Sequence, residues 1–436
     1  MQEVSGMNNT VALVTLGCKV NQSETQSISE AFERDGFSVV SSRERADIYV
    51  INTCSVTSMS ESKGRQLISR LHRQNPDAII AVTGCYAQRD PDAVAALDGV
   101  SLVIGANHKS SIVPMCRKYI ENREKACAVT KAATHTEYED MPLSRHEGHT
   151  RAYMKIQDGC RSFCSYCIIP YLRGPLRSRS KQSIIDEAKR LAQNGFCEIV
   201  LGGIHLTSYG VDNGEELADV IAELDRIEGI KRIRLGSLEP MGITEEFLQK
   251  VSSCSKLCDH FHLSLQSGCD SVLAAMNRKY TTKEYLDVCN VIREKYPHCA
   301  ISTDIIVGFP SESEQDFEQT CEFVKRVKFA FVHVFPYSKR EGTAAAKMPD
   351  QVPSEVKKQR AAKLSAICAE LKSAYISSFL GQEVEVLCER SAKGITRGLT
   401  KNHLEVRVKG ELEAGSIIRV KTENIVDFCL EGEKIG

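Results

Sequence analysis

The chain has 436 residues, 42% hydrophobic and 26% charged, which is enough for two or three domains with substantial cores. Its 56 Lys and Arg against 57 Asp and Glu leave a formal net charge of −1. That balance excludes a globally basic nucleic-acid binder and confines any RNA site to local patches. No apolar run reaches the ~18 residues of a membrane-spanning helix. The opening MQEVSGMNNT lacks the basic and apolar regions of a secretory signal. A cytoplasmic protein without membrane contact is therefore expected, and its 18 cysteines point to buried thiols or metal binding rather than a disulfide scaffold.

In chain order, VALVTLG (11–17), DIYVINT (47–53), AIIAVTG (78–84) and LVIGA (102–106) are short apolar, β-branched runs. Helical spacing over 22–35, with Ile28, Ala31 and Phe32 on one face, and over about 59–74 separates the first of them. The alternation predicts an α/β fold, with a doubly wound parallel sheet over residues 1–125. Residues 126–150 are expected to be a linker, polar and patternless from Thr130.

From 151 the alternation restarts. AYMKIQ (152–157), EIVLGG (198–203), RIRLGS (232–237), HFHLSLQ (260–266), AISTDIIVG (300–308) and AFVHVFPY (330–337) are six strand candidates with helical segments between them. They predict a partial or closed (β/α)6 barrel over 151–379, ending in a long helix near 354–379. After 380 the pattern changes to period two with turn glycines, which predicts a small antiparallel β-barrel over 380–436.

The sharpest chemical signal is DGCRSFCSYCIIP (158–170), where Cys160, Cys164 and Cys167 form C-x3-C-x2-C directly after the first barrel strand. Three thiolates can hold three irons of a [4Fe–4S] cluster and leave the fourth iron open to a small molecule. Carboxyl ends of barrel strands are also where such folds place active sites. Zinc is an alternative, but it usually wants a fourth protein ligand, and none lies nearby in the sequence. Cys18, Cys54 and Cys85, in LGC, NTC and TGC, each lie just past a predicted parallel strand. Carboxyl ends of parallel strands share one sheet edge, so these thiols either converge on a second cluster or are coincidentally placed buried cysteines. The other twelve cysteines, including the C-x3-C pair Cys254 and Cys258, read as core or surface thiols.

The C-x3-C-x2-C loop resembles that of radical S-adenosylmethionine enzymes. The LGC–NTC–TGC set ahead of it, with a β-barrel tail behind, is similar to the methylthiotransferase family over roughly residues 10–436. GCKVNQ (17–22) resembles the branch acting on N6-threonylcarbamoyladenosine, 3′ of the anticodon in tRNA. The isopentenyladenosine branch typically reads GCQMN, and the ribosomal-protein branch GCPKN. The resemblance implies two [4Fe–4S] clusters, one on Cys160, Cys164 and Cys167 and one on Cys18, Cys54 and Cys85. It implies that S-adenosylmethionine binds the open iron of the first and is cleaved to a 5′-deoxyadenosyl radical. That radical attacks adenine C2–H, and a methylated sulfur is delivered from the second cluster. No catalytic side chain beyond the cluster ligands is expected. Cofactors carry such chemistry because acid–base side chains cannot activate an aromatic C–H bond. Alternatives are the same chemistry on the other two substrates, a radical enzyme without sulfur insertion, and a non-catalytic iron–sulfur protein.

Gly202, Gly203, Glu239, Ser264, Gln266 and Asp304 lie at or near the ends of predicted barrel strands. There they offer close backbone approach or hydrogen bonds to S-adenosylmethionine. Two basic clusters stand out, RGPLRSRSK around Arg173, Arg177, Arg179 and Lys181, and residues 390–409 in the tail. The tail resembles the TRAM RNA-binding module, so both clusters are expected to grip phosphates of the tRNA anticodon stem-loop. An external reductant protein and a monomeric enzyme complete the expectation.

Overall fold

The structure, a computed structural model, describes residues 9–55, 58–143 and 150–435. Its first unit is a six-stranded parallel sheet. The strands are β1 (Thr10–Thr15), β2 (Ser38–Val39), β3 (Ile48–Thr53), β4 (Ile79–Gly84), β5 (Val100–Ile104) and β6 (Ala126–Ala128), in the order β2-β1-β3-β4-β5-β6. Helices α1 (Lys19–Arg34), α2 (Ser58–Gln74), α3 (Cys85–Arg89), α4 (Pro91–Ala95) and α5 (Ile112–Asn122) connect them. β3 and β4 are buried at every residue, as strands covered on both faces must be. Ile28 and Phe32 of α1 pack with Ile112 of α5 on one face. Leu67, Ile68 and Leu71 of α2 pack with Val94 of α4 on the other. The doubly wound sheet is therefore present, with its order reversing between β1 and β3, where such sheets place ligands at strand carboxyl ends.

Two details depart from the sequence reading. The stretch read as linker contributes β6 to the sheet and a short turn at Ala132–Thr134; its residues 144–149 lie outside the described residues. α1 begins at Lys19, three residues earlier than its periodicity suggested, immediately after Cys18.

The second unit has strands β7 (Arg151–Asp158), β8 (Arg177–Ser178), β9 (Glu198–Gly203), β10 (Arg232–Leu235), β11 (Ser237–Leu238), β12 (His260–Leu263), β13 (Ala300–Val307) and β14 (Phe331–Pro336). Helices α6 (Ile169–Arg173), α7 (Lys181–Gln193), α8 (Leu217–Asp225), α9 (Glu245–Val251), α10 (Asp270–Ala275), α11 (Thr282–Lys295), α12 (Glu314–Val327) and α13 (Ser354–Ser377) accompany them. The strands form two sheets, β10-β9-β7-β8 and β11-β12-β13-β14. The third predicted strand is split at Gly236: its first half pairs with β9 and its second with β12. The six expected strands thus run parallel as one bent arc, a partial barrel. Short β8, antiparallel to β7, was not anticipated.

The tail is a closed barrel, β15 (Glu383–Ala392), β16 (Ile395–Thr400), β17 (Glu405–Lys409), β18 (Ile417–Val426) and β19 (Cys429–Ile435), in the order β15-β16-β17-β19-β18. Its pairings are antiparallel except β17 with β19. The tail docks at the amino ends of the radical-barrel strands. Arg232 donates to the carbonyls of Glu385 (3.0 Å) and Leu399 (2.8 Å), and Arg234 to those of Lys401 (2.8 Å) and Thr400 (3.2 Å). His403 stacks on His260 with ring centroids 4.7 Å apart, plugging that end.

The docking arginines are fully buried and share one buried carboxylate, Glu198, at 2.7 Å from Arg234 Nε and 3.8 Å from Arg232 Nη1. Removing one partner of a buried ion pair costs about 3–5 kcal/mol. Glu198→Ala is therefore expected to destabilise the protein by about that amount, read as a shift in its chemical-denaturation midpoint.

Candidate active site

Cys18 opens onto the same space as the barrel cysteines. A cavity of about 400 Å³ is lined by Cys18 from the first unit and by Cys160, Cys164 and Cys167 from the second. That volume is in the range of small-molecule sites.

The barrel group sits on the loop after β7, and its shape depends on Gly159. With φ +74°, a Cβ there would lie 1.8 Å from the Pro175 carbonyl oxygen. The loop closes through Cys160 N–H to Gly174 O (3.1 Å) and Cys167 N–H to Cys164 O (2.9 Å). Gln157 braces its start by donating to the carbonyls of Asp158 and Gly159, both at 2.8 Å. Arg278 donates to Cys164 Sγ (3.2 Å) and to Glu239 (2.6 Å), fixing a cation beside the sulfur. Burial pushes the Cys167 thiol up to about 12 and raises that of Cys160 as well. These thiols stay protonated until a metal displaces the proton.

The second group gathers where β1, β3 and β4 end side by side. Cys18 caps the amino end of α1. Gly17 has φ +125°, and a Cβ there would lie 2.8 Å from Cys54 Cβ and 3.2 Å from Cys54 Sγ, so glycine lets the two loops touch. Asn21 of GCKVNQ ties them together: its side chain donates to the carbonyls of Leu16 (3.1 Å) and Thr53 (3.0 Å). Cys85 packs on Ile168 and Leu172, just after Cys167. Burial raises the Cys85 thiol pKa, while the Arg173 guanidinium lowers it and the neighbouring Cys18 thiol raises it.

Among the described residues, no three or more His, Cys, Asp or Glu side chains are grouped to hold a single metal ion. Cys160, Cys164 and Cys167 spread over the cavity wall, which suits the larger footprint of a [4Fe–4S] cube. Cys18, Cys54 and Cys85 offer the same all-thiol donor set at adjoining strand ends.

Of the pocket residues expected from sequence, Gly202, Gly203, Glu239 and Gln266 line the cavity with the cysteines. Ser264 instead contributes its carbonyl, which accepts from Arg278 (3.0 Å) and from Tyr280. Asp304 lines an adjoining cavity of about 440 Å³ with Tyr166, Gln266, Phe335 and Tyr337. Lys19, Tyr153, Lys155, His205 and Arg278 also line the first cavity, and the sequence reading missed them. Lys19 borders Cys18, and a signal of that kind was available for it; the others are singled out only by the fold.

The RGPLRSRSK cluster does not face solvent. Arg173, Arg177 and Arg179 are buried and paired, Arg173 with Glu24 (2.6 Å), Arg177 with Asp158 (3.6 Å) and Arg179 with Glu187 (2.7 Å). The RGPLRSRSK segment itself holds no acid, and Glu24 reaches Arg173 from 149 residues away. The tail cluster differs: Arg390, Lys393, Arg397 and Lys409 are exposed, whereas Lys401 donates to Ser255 O. Cys254 and Cys258 are buried, as are most other cysteines outside the two groups.

Gly159→Ala tests the loop geometry. The left-handed φ and the backbone clash are expected to cost at least about 1–3 kcal/mol and to empty the Cys160–Cys167 loop of iron, read as iron bound per chain.

The profile described as "Uncharacterized protein family UPF0004" matches residues 10–105, and that of the radical SAM superfamily matches 154–324. The threonylcarbamoyladenosine tRNA methylthiotransferase MtaB of Bacillus subtilis is 41% identical, covering 94% of this chain and 93% of its own. A tRNA-2-methylthio-N(6)-dimethylallyladenosine synthase of Clostridium botulinum is 35% identical, covering 97% and 96%. The structure of the radical S-adenosylmethionine methyltransferase TsrM from Kitasatospora setae, with cobalamin and a [4Fe-4S] cluster bound, shares the fold at a TM-score of 0.57. It is 14% identical and covers 78% of this chain and 77% of its own. With both domain types in order and close relatives along nearly its whole length, the chain belongs to the radical S-adenosylmethionine tRNA methylthiotransferase family.

Proposed function

We propose that this protein converts N6-threonylcarbamoyladenosine, the adenosine 3′ of the tRNA anticodon, to its 2-methylthio derivative. The observation that carries the reading is the opening of Cys18 and the Cys160–Cys164–Cys167 loop onto one cavity. Its cofactors are S-adenosylmethionine and [4Fe–4S] clusters. When bound, they supply the one-electron cleavage and sulfur insertion that no acid–base side chain can perform.

The chain's own residues hold, orient and shield. Cys160, Cys164 and Cys167 hold the barrel cluster, and Cys18, Cys54 and Cys85 the second. Gly202, Gly203, Glu239 and Gln266, with Arg278, form the S-adenosylmethionine pocket; Glu239 offers an acceptor whose orientation Arg278 fixes. Ser264 acts there through its carbonyl. The adjoining cavity with Asp304, Phe335 and Tyr337 suits a planar base between aromatic walls. The two cavities share Tyr166, Cys167, Ile169 and Gln266, which supports holding both reactants close while excluding water.

Residues 1–125 act as the second-cluster domain, 151–379 as the radical domain and 380–436 as the RNA module. On the last, Arg390, Lys393, Arg397 and Lys409 are positioned to meet phosphates. A protein reductant supplies electrons. The presence of both cysteine groups in one chain supports a monomer, and a tRNA substrate supports action in the cytoplasm.

Two measurements test the reading. Ala at Cys160, Cys164 or Cys167 is expected to abolish 5′-deoxyadenosine formation from S-adenosylmethionine. Ala at Cys18, Cys54 or Cys85 is expected to spare it and lose the methylthio product. Persisting cleavage in Cys164→Ala would remove the barrel assignment. Separately, nucleosides from tRNA of cells lacking the gene are expected to lose 2-methylthio-N6-threonylcarbamoyladenosine and accumulate its unthiolated precursor. Loss of a methylthio isopentenyl derivative instead would move the enzyme to the branch of its dimethylallyladenosine relatives.

A further inference from the structure

One ion-paired network spans the contact between the first unit and the radical barrel. Glu24 of α1 meets Lys109 (3.3 Å), Lys155 (3.0 Å) and Arg173 (2.6 Å). Asp158 meets Lys155 (3.1 Å), Arg173 (3.2 Å) and Arg177 (3.6 Å). All are buried, Lys155 nearly so, with 11% of its side chain exposed. Four cations thus face two carboxylates. Among the buried groups the shell does not balance them, since Arg179 and Glu187 add one charge of each sign; Glu139 and Asp140 complete the count only from the solvent edge, Asp140 on Arg179 at 2.9 Å. Asn21 and Asn107 contribute only amide oxygens, toward Arg173 and Arg177.

A surplus of buried positive charge is unfavourable unless an anion compensates it. Lys109 feels the surplus: burial, with the repulsion of Arg173 and Lys155, holds its ammonium pKa below the ordinary range despite Glu24. The available anion lies beside this network. Cys85 packs on Leu172, the residue before Arg173, and it belongs to the second cysteine group. Three thiolates on an oxidised [4Fe–4S] core leave a net negative charge, and an anionic sulfur ligand on the open iron makes it more negative.

We propose that Arg173 is a positioning and charge-compensating residue for the second cluster, and that the buried cation surplus around it raises that cluster's reduction potential. The inference rests on Cys18, Cys54 and Cys85 being the ligands of that cluster. Nearby cations favour the reduced, more negative state, so removing one lowers the potential and removing a carboxylate raises it.

The test uses full-length chain in which Cys160, Cys164 and Cys167 are replaced by Ala, so that only the second cluster assembles. Its midpoint potential is then followed by paramagnetic resonance during redox titration. Arg173→Gln and Lys109→Gln are expected to move the potential negative, the first more than the second. Glu24→Gln is expected to move it positive, and Arg173→Lys to hold it near the parent value. Shifts of one sign for all three glutamine variants, or no shifts, overturn the inference. If Arg173→Gln does not fold, the opposed signs of Lys109→Gln and Glu24→Gln decide. A parent chain that binds none of the expected ~four irons would refute the ligand assignment instead, which keeps the two failures distinct.

Discussion

Glu24 lies on the helix that begins at Cys18, and Arg173 ends the short helix that follows Cys167. Their side chains meet at 2.6 Å in the interior. The contact joins a parallel sheet and a partial barrel that share no strand, and it does so between the two cysteine-bearing segments. The rest of the site depends on it. If α1 were not held on the barrel, Cys18 would not border the cavity of Cys160, Cys164 and Cys167. A second contact works on the opposite flank. Arg340, beyond the last barrel strand, donates to the carbonyl of Ser55 and to Glu61 (2.5 Å), while Arg89 meets Glu61 at 2.9 Å. Arginines from the barrel therefore hold the chain beside Cys54 and the helix of Cys18. A guanidinium suits this work because several donors can bind carboxylates and carbonyls at fixed angles without losing charge.

The barrel is used at both ends, for different purposes. At the carboxyl ends of its strands the backbone turns into loops that carry cysteines and cofactor-facing groups. At the amino ends Arg232 and Arg234 fix the tail through its carbonyls, and the stacked His260 and His403 close the floor. Burial holds both imidazoles well below the ordinary histidine range, so the plug stays uncharged at neutral pH. The exposed basic residues of the tail then project from a rigidly attached module rather than a tethered one.

The sequence reading succeeded where the signal is local. Strand runs alternate with helices at spacings set by backbone geometry, and β-branched stretches such as IYVINT form fully buried strands. The C-x3-C-x2-C spacing brings its three thiols onto one cavity because a tight loop keeps near neighbours together. It failed where meaning depends on distant partners. Arg173, Arg177 and Arg179 look like a phosphate-gripping patch until Glu24, Asp158 and Glu187 are brought to them. Ser264 looked like a side-chain donor, but its carbonyl is what Arg278 and Tyr280 use. Arg278 itself carries no local mark, since its partners Cys164 and Glu239 lie 114 and 39 residues away.

The sequence alone therefore determined the order of the three units, the six cysteines worth following and the kind of cofactor they suit. The unit order and the Cys160, Cys164 and Cys167 loop follow from periodicity and spacing, which are properties of short segments, whereas Cys18, Cys54 and Cys85 were singled out as a cluster set by the family resemblance. Only the tertiary structure decided that Cys18 shares one space with the barrel cysteines, that three of the basic residues are internal struts, and that the buried network between the units carries more cations than carboxylates. Charge compensation and convergence are sums over segments far apart in the chain, and they exist only once the sheet has docked on the barrel.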